Sequence, residues 1–275
     1  MNEPTSETEI LLAEQRAVAE SMIAADLASV PGIDQFVGAE FDRYHDALMA
    51  LMRHANRNVD FDPIVHLQTG KVVGSEALAA FPGQLSTAAW FRIAHALGFG
   101  IDLELSMLQA VLELCRTDTT GFVGVNASAE ALVDPRFLER LAGVDDDRVV
   151  IELTGQTSLP TLGRLRMSIE KVRVTGTRLA IHVGDIGPES LRSITSLEPD
   201  VIKLDPALTA QLADGQSETA SARNFFARCR HDGIFVVAVG VERPEQLHAL
   251  EGRSVDAYQG WLAREKLEQS TSARA

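Results

Sequence analysis

The chain has 275 residues, of which 45% are hydrophobic and 23% are charged. Its 25 Lys and Arg against 39 Asp and Glu give a formal net charge of −14, which argues against electrostatic binding to DNA, RNA or an anionic membrane. This length suffices for one large domain or two ordinary ones with a substantial core. Cys115 and Cys229 match no metal-binding or redox spacing, so we expect two reduced core thiols.

The first residues lack the basic region and apolar run of a secretory signal. No uninterrupted apolar stretch reaches the roughly 18 residues that a membrane span needs. We therefore expect a cytoplasmic protein with no membrane and no DNA partner.

Residues 1–58 show helical patterns and no strand pattern. Ser6-Glu7-Thr8-Glu9 resembles a capping box, and apolar residues follow at steps of 7 and 4 from Leu11 to Leu27. A second apolar series comprises Val37, Phe41, Tyr44, Leu48, Leu51 and Met52. These two apolar faces need a surface to pack against. They pack against each other, against the rest of the chain or against a second subunit. We expect a helical extension over 1–58 that contributes to self-association or to the docking of a protein partner.

From residue 60 onward, strand and helix patterns alternate. The predicted strands are Phe61–Leu67, Val72–Ala79, Gly121–Asn126, Val149–Leu153, Arg178–Val183, Val201–Leu204, Ile234–Val239 and Val255–Tyr258. The predicted helices lie at 86–97, 102–115, 135–142, 160–174, 188–196, 206–213, 218–231 and 243–250. This alternation favours a parallel sheet covered by helices, closed as a TIM-type (β/α)8 barrel; an open doubly wound sheet is the alternative.

A hairpin signal joins the first two predicted strands. Gln68-Thr69-Gly70 is typical of a tight turn between neighbouring antiparallel strands. The expected α/β fold is therefore a modified barrel with an antiparallel first strand pair. Its expected limits are 59–266, followed by a flexible tail over 267–275.

Polar residues stand at the ends of these strands, where barrel enzymes place their chemistry. They are Glu76, Asn126, Glu152, His182 and Lys203, with Glu242 and Gln259 later in the chain. Glu76, Asn126 and Glu152 offer three oxygen ligands for a hard divalent cation. A single strand-end Glu or Asn is more often a hydrogen-bond acceptor for a loop than a metal ligand. Lys203 either pairs with Glu152 or Asp205 or takes part in catalysis.

Several blocks of sequence resemble the EAL domains, the cyclic di-GMP phosphodiesterases named for a Glu-Ala-Leu motif. The opening resemblance covers Phe61–Leu67 and Thr69–Leu78, in which Glu76-Ala77-Leu78 is the motif itself. Later blocks agree in order: Val125-Asn126-Ala127-Ser128, Ile151-Glu152-Leu153-Thr154, Asp200-Val201-Ile202-Lys203-Leu204-Asp205, Ala238-Val239-Gly240-Val241-Glu242 and Gln259-Gly260. The resemblance extends over residues 60–266 and implies the same modified TIM barrel.

The resemblance also implies a chemistry. EAL active sites hold two divalent ions, Mg2+ or Mn2+, on carboxylates and an Asn, and hydrolyse one phosphodiester of cyclic di-GMP. It assigns metal binding to Glu76, Asn126 and Glu152, and a place near the reacting phosphate to Lys203. Supporting roles fall to Asp205, Glu242 and Gln259.

The chain departs from the family at acidic positions. Where the family has Ile-Asp-Asp-Phe-Gly, this sequence reads Ile181-His182-Val183-Gly184-Asp185. Val239 replaces the Glu that binds or activates the water, and an isopropyl group cannot accept a proton. Gly155 replaces the Glu that closes the Glu-Leu-Thr-Glu block.

Two further departures affect substrate binding. Ala80 replaces the Arg that holds substrate phosphate, and Asp62 replaces a Gln of the opening block. Phosphate recognition normally relies on such donors. Binding of cyclic di-GMP is therefore an open alternative that these two positions disfavour.

Without the acidic residues that the family has at positions 182, 183 and 239, the carboxylates that remain beside Lys203 are chiefly those of Glu76 and Glu152. We expect no cofactor, a weak or vestigial metal site at Glu76, Asn126 and Glu152, and catalytic remnants at Lys203 and Glu242 only. One alternative is a rescue in which Asp185 moves into a vacated Asp position and His182 serves as a ligand. The ungapped match from Glu152 to Lys203 speaks against it.

The first hypothesis is a catalytically degenerate EAL-domain protein, a non-enzymatic regulatory or protein-interaction module in cyclic di-GMP-related signalling. A second is a sensor that binds the dinucleotide without cleaving it. A third is a weakly active phosphodiesterase with a reorganised site.

Overall fold

The computed structural model describes residues 40–55, 58–83, 85–118, 121–142, 148–154, 162–187, 196–215 and 219–272. The apolar series from Leu11 to Leu27, Gly155 and most of the predicted helix at 188–196 lie outside these ranges.

Eight strands of the described chain form a closed barrel, in which each strand lies beside its neighbours in sequence order. The strands are β1 Val59–His66, β2 Val72–Ala79, β3 Phe122–Ser128, β4 Val149–Thr154, β5 Arg178–Val183, β6 Val201–Leu204, β7 Phe235–Val239 and β8 Ala257–Gln259. Each strand lies where the β-branched runs predict it. The closed barrel is confirmed, and the doubly wound sheet is wrong.

The first strand runs against both of its neighbours. β1 pairs antiparallel with β8, with Ile64 opposite Gln259. From β2 to β8, every pair of neighbouring strands is parallel, so β1 is antiparallel to β2 as well. In the connection, the Gly70 N–H donates to the His66 carbonyl, and Gly70 has a φ of +62°, which favours glycine. The antiparallel first pair is confirmed.

Helices follow most of the strands. Those described are α1 Glu40–Arg53, α2 Thr87–Ala96, α3 Gly100–Asp118, α4 Ala129–Val133, α5 Pro135–Ala142, α6 Leu162–Val174, α7 Pro206–Ala213, α8 Ala220–Asp232, α9 Pro244–Leu250 and α10 Trp261–Ser272. No helix among the described residues combines the length and apolar character that crossing a membrane requires.

One layer of apolar side chains fills the barrel interior. It consists of Ile64, Phe122, Val150, Ala180, Val201, Val237 and Ala257, all buried. Side chains on one face of a strand recur every second residue. The residues two positions after Val150, Ala180 and Val201 therefore project from the same face, nearer the strand ends, and all three are polar.

The described chain divides into two compact units. One contains residues up to Val59 together with Ala79–Ala110, and the other contains Asp60–Leu78 and the chain from Val111 onward. In the first unit, Tyr44 and Leu51 of α1 pack against Trp90 and Ile93 of α2. The apolar face of α1 thus finds its partner in the same chain, and this unit extends beyond the limit that we expected at residue 58.

The last helix continues through residues 267–272, where we expected a flexible tail. Its sequence explains this difference, since Leu, Ala, Arg, Glu, Lys and Gln are good helix formers. Ala263 is fully buried and anchors the helix.

Candidate functional site

Polar side chains from five parallel strands meet at one end of the barrel. Glu76 lies on β2, Asn126 on β3, Glu152 on β4, His182 on β5 and Lys203 on β6. The strand register places Asn126 beside Glu152 and His182 beside Lys203. Because side chains on one strand face recur every second residue, these polar residues lie together next to the apolar layer, at the carboxyl ends of the strands.

Lys203 lies at the centre of this site. Its Nζ donates to Glu76 Oε2 and, at 2.7 Å, to Glu152 Oε2. Lys203 and Glu152 are each 1% exposed, so neither charge has an alternative partner in bulk water. Of the two partners that the sequence suggested for Lys203, the structure places Glu152 against it and adds Glu76.

Pairing shifts the pKa values of these groups. Burial by itself lowers the pKa of Lys203, but the Glu152 and Glu76 carboxylates outweigh it and hold that pKa above its usual value. Burial by itself raises the pKa of Glu76, but the Lys203 ammonium and hydrogen bonds from Lys203, Asn126 and Gln259 bring it below its usual value. Both groups are therefore charged near neutral pH.

Glu76 has two further donors. The Asn126 Nδ2 donates to Glu76 Oε1 at 2.9 Å, and the Gln259 Nε2 donates to Glu76 Oε2 at 2.9 Å. The same Gln259 Nε2 lies 2.8 Å from Asp62 Oδ2. The Arg264 Nε on α10 donates to the other oxygen of Asp62. Gln259 Oε1 is buried and accepts no hydrogen bond from the described residues.

His182 links Glu152 to Asp205. Its Nε2 lies 3.4 Å from Glu152 Oε2, and its Nδ1 lies 3.4 Å from Asp205 Oδ1. Burial by itself lowers the pKa of His182, but the hydrogen bond and charge of Glu152 outweigh it and raise that pKa above its usual value. The imidazole side chain is 32% exposed, so it lies at the open side of the network.

The remaining departures from the family pattern place apolar groups at strand ends. Val183, after His182 on β5, is 3% exposed. Val239 on β7 is half-buried and lies beside Gln259 in the strand register. Glu242 lies three residues beyond β7 and is exposed, and its backbone N–H donates to Gln246 Oε1. The structure therefore brings together one connected network, made of Glu76, Asn126, Glu152, His182, Lys203, Asp205 and Gln259. Among the described residues, no side-chain contact joins Glu242 to this network.

The residues at this site do not fit a pair of divalent ions. Both carboxylates that we expected as ligands are bonded to the Lys203 ammonium. Asn126 turns its amide nitrogen toward Glu76, because a carboxylate can only accept. Among the described residues, no group of three His, Cys, Asp or Glu side chains is arranged to hold a metal ion.

Two residues of the site escaped sequence reasoning. A Cβ atom on Gly124 of β3 would lie 2.0 Å from Glu152 Oε1, so this glycine makes room for the carboxylate. A glycine inside a strand often marks such a close approach, and that signal was available. Arg264 lies on the exposed side of a helix and gave no comparable signal.

The model of the EAL domain family matches residues 45–265. Among curated relatives, the uncharacterized protein y4lL of Sinorhizobium fredii is 28% identical over 235 residues, which are 80% of this chain and 28% of that protein. The probable cyclic di-GMP phosphodiesterase PdeI of Escherichia coli is 24% identical over 219 residues, 74% of this chain and 28% of that protein. The chain thus spans less than a third of the length of each of these two relatives.

Solved structures share the fold. The FimX EAL domain of Xanthomonas citri, solved in complex with c-diGMP, has a TM-score of 0.67 at 18% identity and covers 81% of this chain and 92% of that one. BlrP1 of Klebsiella pneumoniae, solved as a manganese/cy-diGMP complex, has a TM-score of 0.62 at 24% identity and covers 74% and 54%. With the family match over most of its length, this chain belongs to the EAL domain family.

Proposed function

We propose that this chain is a non-enzymatic EAL-domain module that acts through a protein partner in cyclic di-GMP signalling and does not hydrolyse the dinucleotide. The observation that carries the proposal is the contact of Glu76 and Glu152, the two carboxylates expected as metal ligands, with the Lys203 ammonium.

Hydrolysis of a phosphodiester by two metal ions needs acidic ligands and a group that activates water. In this chain β5 ends in His182 and the buried Val183, and β7 ends in Val239. The valines bind no metal and accept no proton. Because the Lys203 ammonium offsets one of the two negative charges of Glu76 and Glu152 and contacts an oxygen of each, a divalent ion is attracted less strongly there.

Cyclic di-GMP is the first ligand to test, since FimX and BlrP1 were solved with it. This chain presents a carboxylate at Asp62, 7% exposed and paired with Arg264, where the family has a neutral Gln. Because Arg264 is paired with Asp62, its guanidinium is already engaged and less able to bind a phosphate of the ligand. The Asp62 carboxylate also lies close to Glu76, since both accept from the Gln259 amide nitrogen. These charges favour a protein-interaction role over a dinucleotide sensor.

The predicted docking element is the apolar series between Leu11 and Leu27, which lies outside the described residues. The described part of the second series is already packed within the chain, because Leu48 is fully buried with Ala94 and Leu103. We therefore propose the first series for self-association or for binding a protein partner.

A hydrolysis assay tests the proposal directly. The purified 275-residue chain is incubated with cyclic di-GMP and Mg2+ or Mn2+, beside an active EAL-domain phosphodiesterase as the positive control. We expect no linear dinucleotide above the no-protein blank. Turnover that Glu76→Ala abolishes would show an enzyme and overturn the proposal.

Calorimetry separates the module from the sensor. Cyclic di-GMP is titrated into the 275-residue chain without added metal, and we expect no saturable heat. Saturable binding without hydrolysis would assign the sensor function instead.

Light scattering after size-exclusion chromatography tests the docking element. If it mediates self-association, the wild-type mass exceeds the 29.8 kDa of one chain, and Val18→Asp with Met22→Asp returns it to that value. Glu14→Lys, a change on the polar side of the predicted helix, is the control. A monomeric wild type would exclude self-association and leave a different protein as the partner.

A further inference from the structure

Helix α6 has an outward face that is both basic and apolar. Its 13 residues contain four basic side chains against one acidic side chain, which gives this helix a net charge of +3 on a chain of −14. Leu165, Ile169 and Val172 are buried and form its inner side. The charged residues of α6 therefore lie mainly on the side that faces solvent.

Two large hydrophobic side chains lie in the middle of this outward face. Met167 is 61% exposed and Val174 is 87% exposed. They are seven residues apart, which is two helical turns, so they lie on one line along the helix. Among the described residues, four large hydrophobic side chains are exposed, and the other two are Trp261 and Leu267. Half of these exposed hydrophobic groups thus share one helix face.

Basic side chains lie next to this apolar pair. Arg164 precedes Met167 by three residues, and Lys171 follows Met167 by four and precedes Val174 by three, so the four residues are neighbours in one row. Arg164 and Lys171 are exposed, and no ion pair engages either of them within the described part of the chain. Both cations are therefore available to an acidic partner.

The predicted docking element has the complementary character. Residues 7–27, which we call the acidic segment, contain five acidic residues and one basic residue, a net charge of −4. They include the whole apolar series from Leu11 to Leu27. Glu9 and Glu20 each lie three residues before an apolar member of that series, so the predicted helix places acids beside its apolar face.

We infer that the outward face of α6 is the docking surface for the acidic segment of a second copy of this chain. Apolar side chains of the segment cover Met167 and Val174, and its acids pair with Arg164 and Lys171. The chain charge of −14 disfavours an anionic membrane or a nucleic acid on the same face. The inference rests on the part of the proposed function that assigns self-association to the apolar series.

A twofold dimer makes this contact twice. Each copy gives its acidic segment and receives that of the other copy on α6, which closes the assembly at two chains. One helix pair is small beside the total of about 1,200–2,000 Å2 that a stable interface buries, so the second contact adds needed area.

Charge reversal on α6 tests the surface. Light scattering after size-exclusion chromatography gives the mass of the wild-type 275-residue chain and of Arg164→Glu with Lys171→Glu. The matched control is Lys71→Glu with Arg140→Glu, which reverses one lysine and one arginine that are exposed outside α6. Circular dichroism checks that each variant is folded.

We expect the wild type and the control to have twice the 29.8 kDa mass of one chain. The α6 variant should have the mass of one chain, because like charges then face the acidic segment. Its dissociation constant should rise at least about tenfold. A dimer that survives this reversal would overturn the inference.

A charge swap tests the assigned segment. Glu9→Lys with Glu20→Lys should also give the mass of one chain, and adding Arg164→Glu with Lys171→Glu should restore the dimer, because opposite charges face each other again. A local structural defect in α6 would not be repaired in this way. A swap that does not restore the dimer would overturn the inference.

This inference and the proposed function fail in different ways. A monomeric wild type that does not hydrolyse cyclic di-GMP would refute the inference and leave a different protein as the partner. Hydrolysis by a dimer that behaves as expected would refute the non-enzymatic function and support the docking surface, because none of these substitutions changes the strand-end site.

Discussion

Arg264 on α10 forms an ion pair with Asp62 on β1, 202 residues earlier in the chain. The Asp62 side chain is 8% exposed and that of Arg264 is 57% exposed. The second Asp62 oxygen accepts from Gln259 at 2.8 Å. The Asp that replaces the Gln of the family pattern is therefore paired on both of its oxygens.

Arg264→Ala should destabilise the protein, because it takes the charged partner from a buried carboxylate. We expect a loss of about 1 kcal/mol in the free energy of unfolding, since the arginine itself is exposed. Urea unfolding of Arg264→Ala, Asp62→Asn and the double variant measures the pair in a double-mutant cycle. Strictly additive losses would show that the two residues are not coupled.

Lys203→Met should be the most damaging single change at the site. It leaves Glu76 and Glu152 buried without their common cation, and breaking a buried pair in this way costs about 3–5 kcal/mol. Chemical denaturation provides the measurement. Adding Glu76→Gln and Glu152→Gln to Lys203→Met should recover part of the loss, because the stranded charges are removed. A Lys203→Met variant as stable as the wild type would contradict the ion-pair network.

His182 should make stability depend on pH above its ordinary pKa of 6.5. The folded pKa is raised, so the imidazolium contribution is fully present below pH 6.5 and is lost as the pH rises through the folded value. The free energy of unfolding from urea titrations should therefore fall across this interval in the wild type. His182→Asn should remove that fall, and an unchanged pH profile in this variant would assign the dependence to another group.

Gly124→Ala should disturb the site without removing any charged group. Its Cβ would lie 2.0 Å from Glu152 Oε1, so the carboxylate has to move away from Lys203 and His182. We expect a loss of about 1–3 kcal/mol, as for other overpacked positions. Gly163→Ala on α6 is the matched control.

A Cβ on Gly163 meets no atom within 4 Å. Its replacement should leave stability unchanged or raise it by up to about 1 kcal/mol, because alanine favours a helix over glycine. Equal effects of the two substitutions in urea unfolding would contradict the steric role of Gly124.

The strands of this barrel were predictable because each carries its own signal. Val201–Leu204 and Val149–Leu153 are short β-branched runs between helical patterns, and the two-residue repeat then sets which polar residues share a face. Convergence of Glu76, Asn126 and Glu152 follows from that repeat and from the parallel order of the strands.

The partners of these residues depend on the closed barrel and could not be derived locally. Lys203 and Glu76 are 127 residues apart, and their contact exists because β6 and β2 face each other across the barrel interior. The role of Arg264 depends likewise on where α10 lies after the barrel closes. The packing of α1 on α2 was one of three alternatives. An apolar helix face indicates that the helix packs against something, but it does not identify the surface that it contacts.

The antiparallel first strand also affects the synthesis of the protein. Ile64 on β1 pairs with Gln259 on β8, so the barrel cannot close until β8 has been synthesised and has left the ribosome. Pairings so distant in sequence form slowly, and until then β1 and β7 each have an unpaired edge. Nascent and truncated chains that end before Ala257 should therefore be prone to pair with one another, and production of this protein should depend on chaperones that shield those edges.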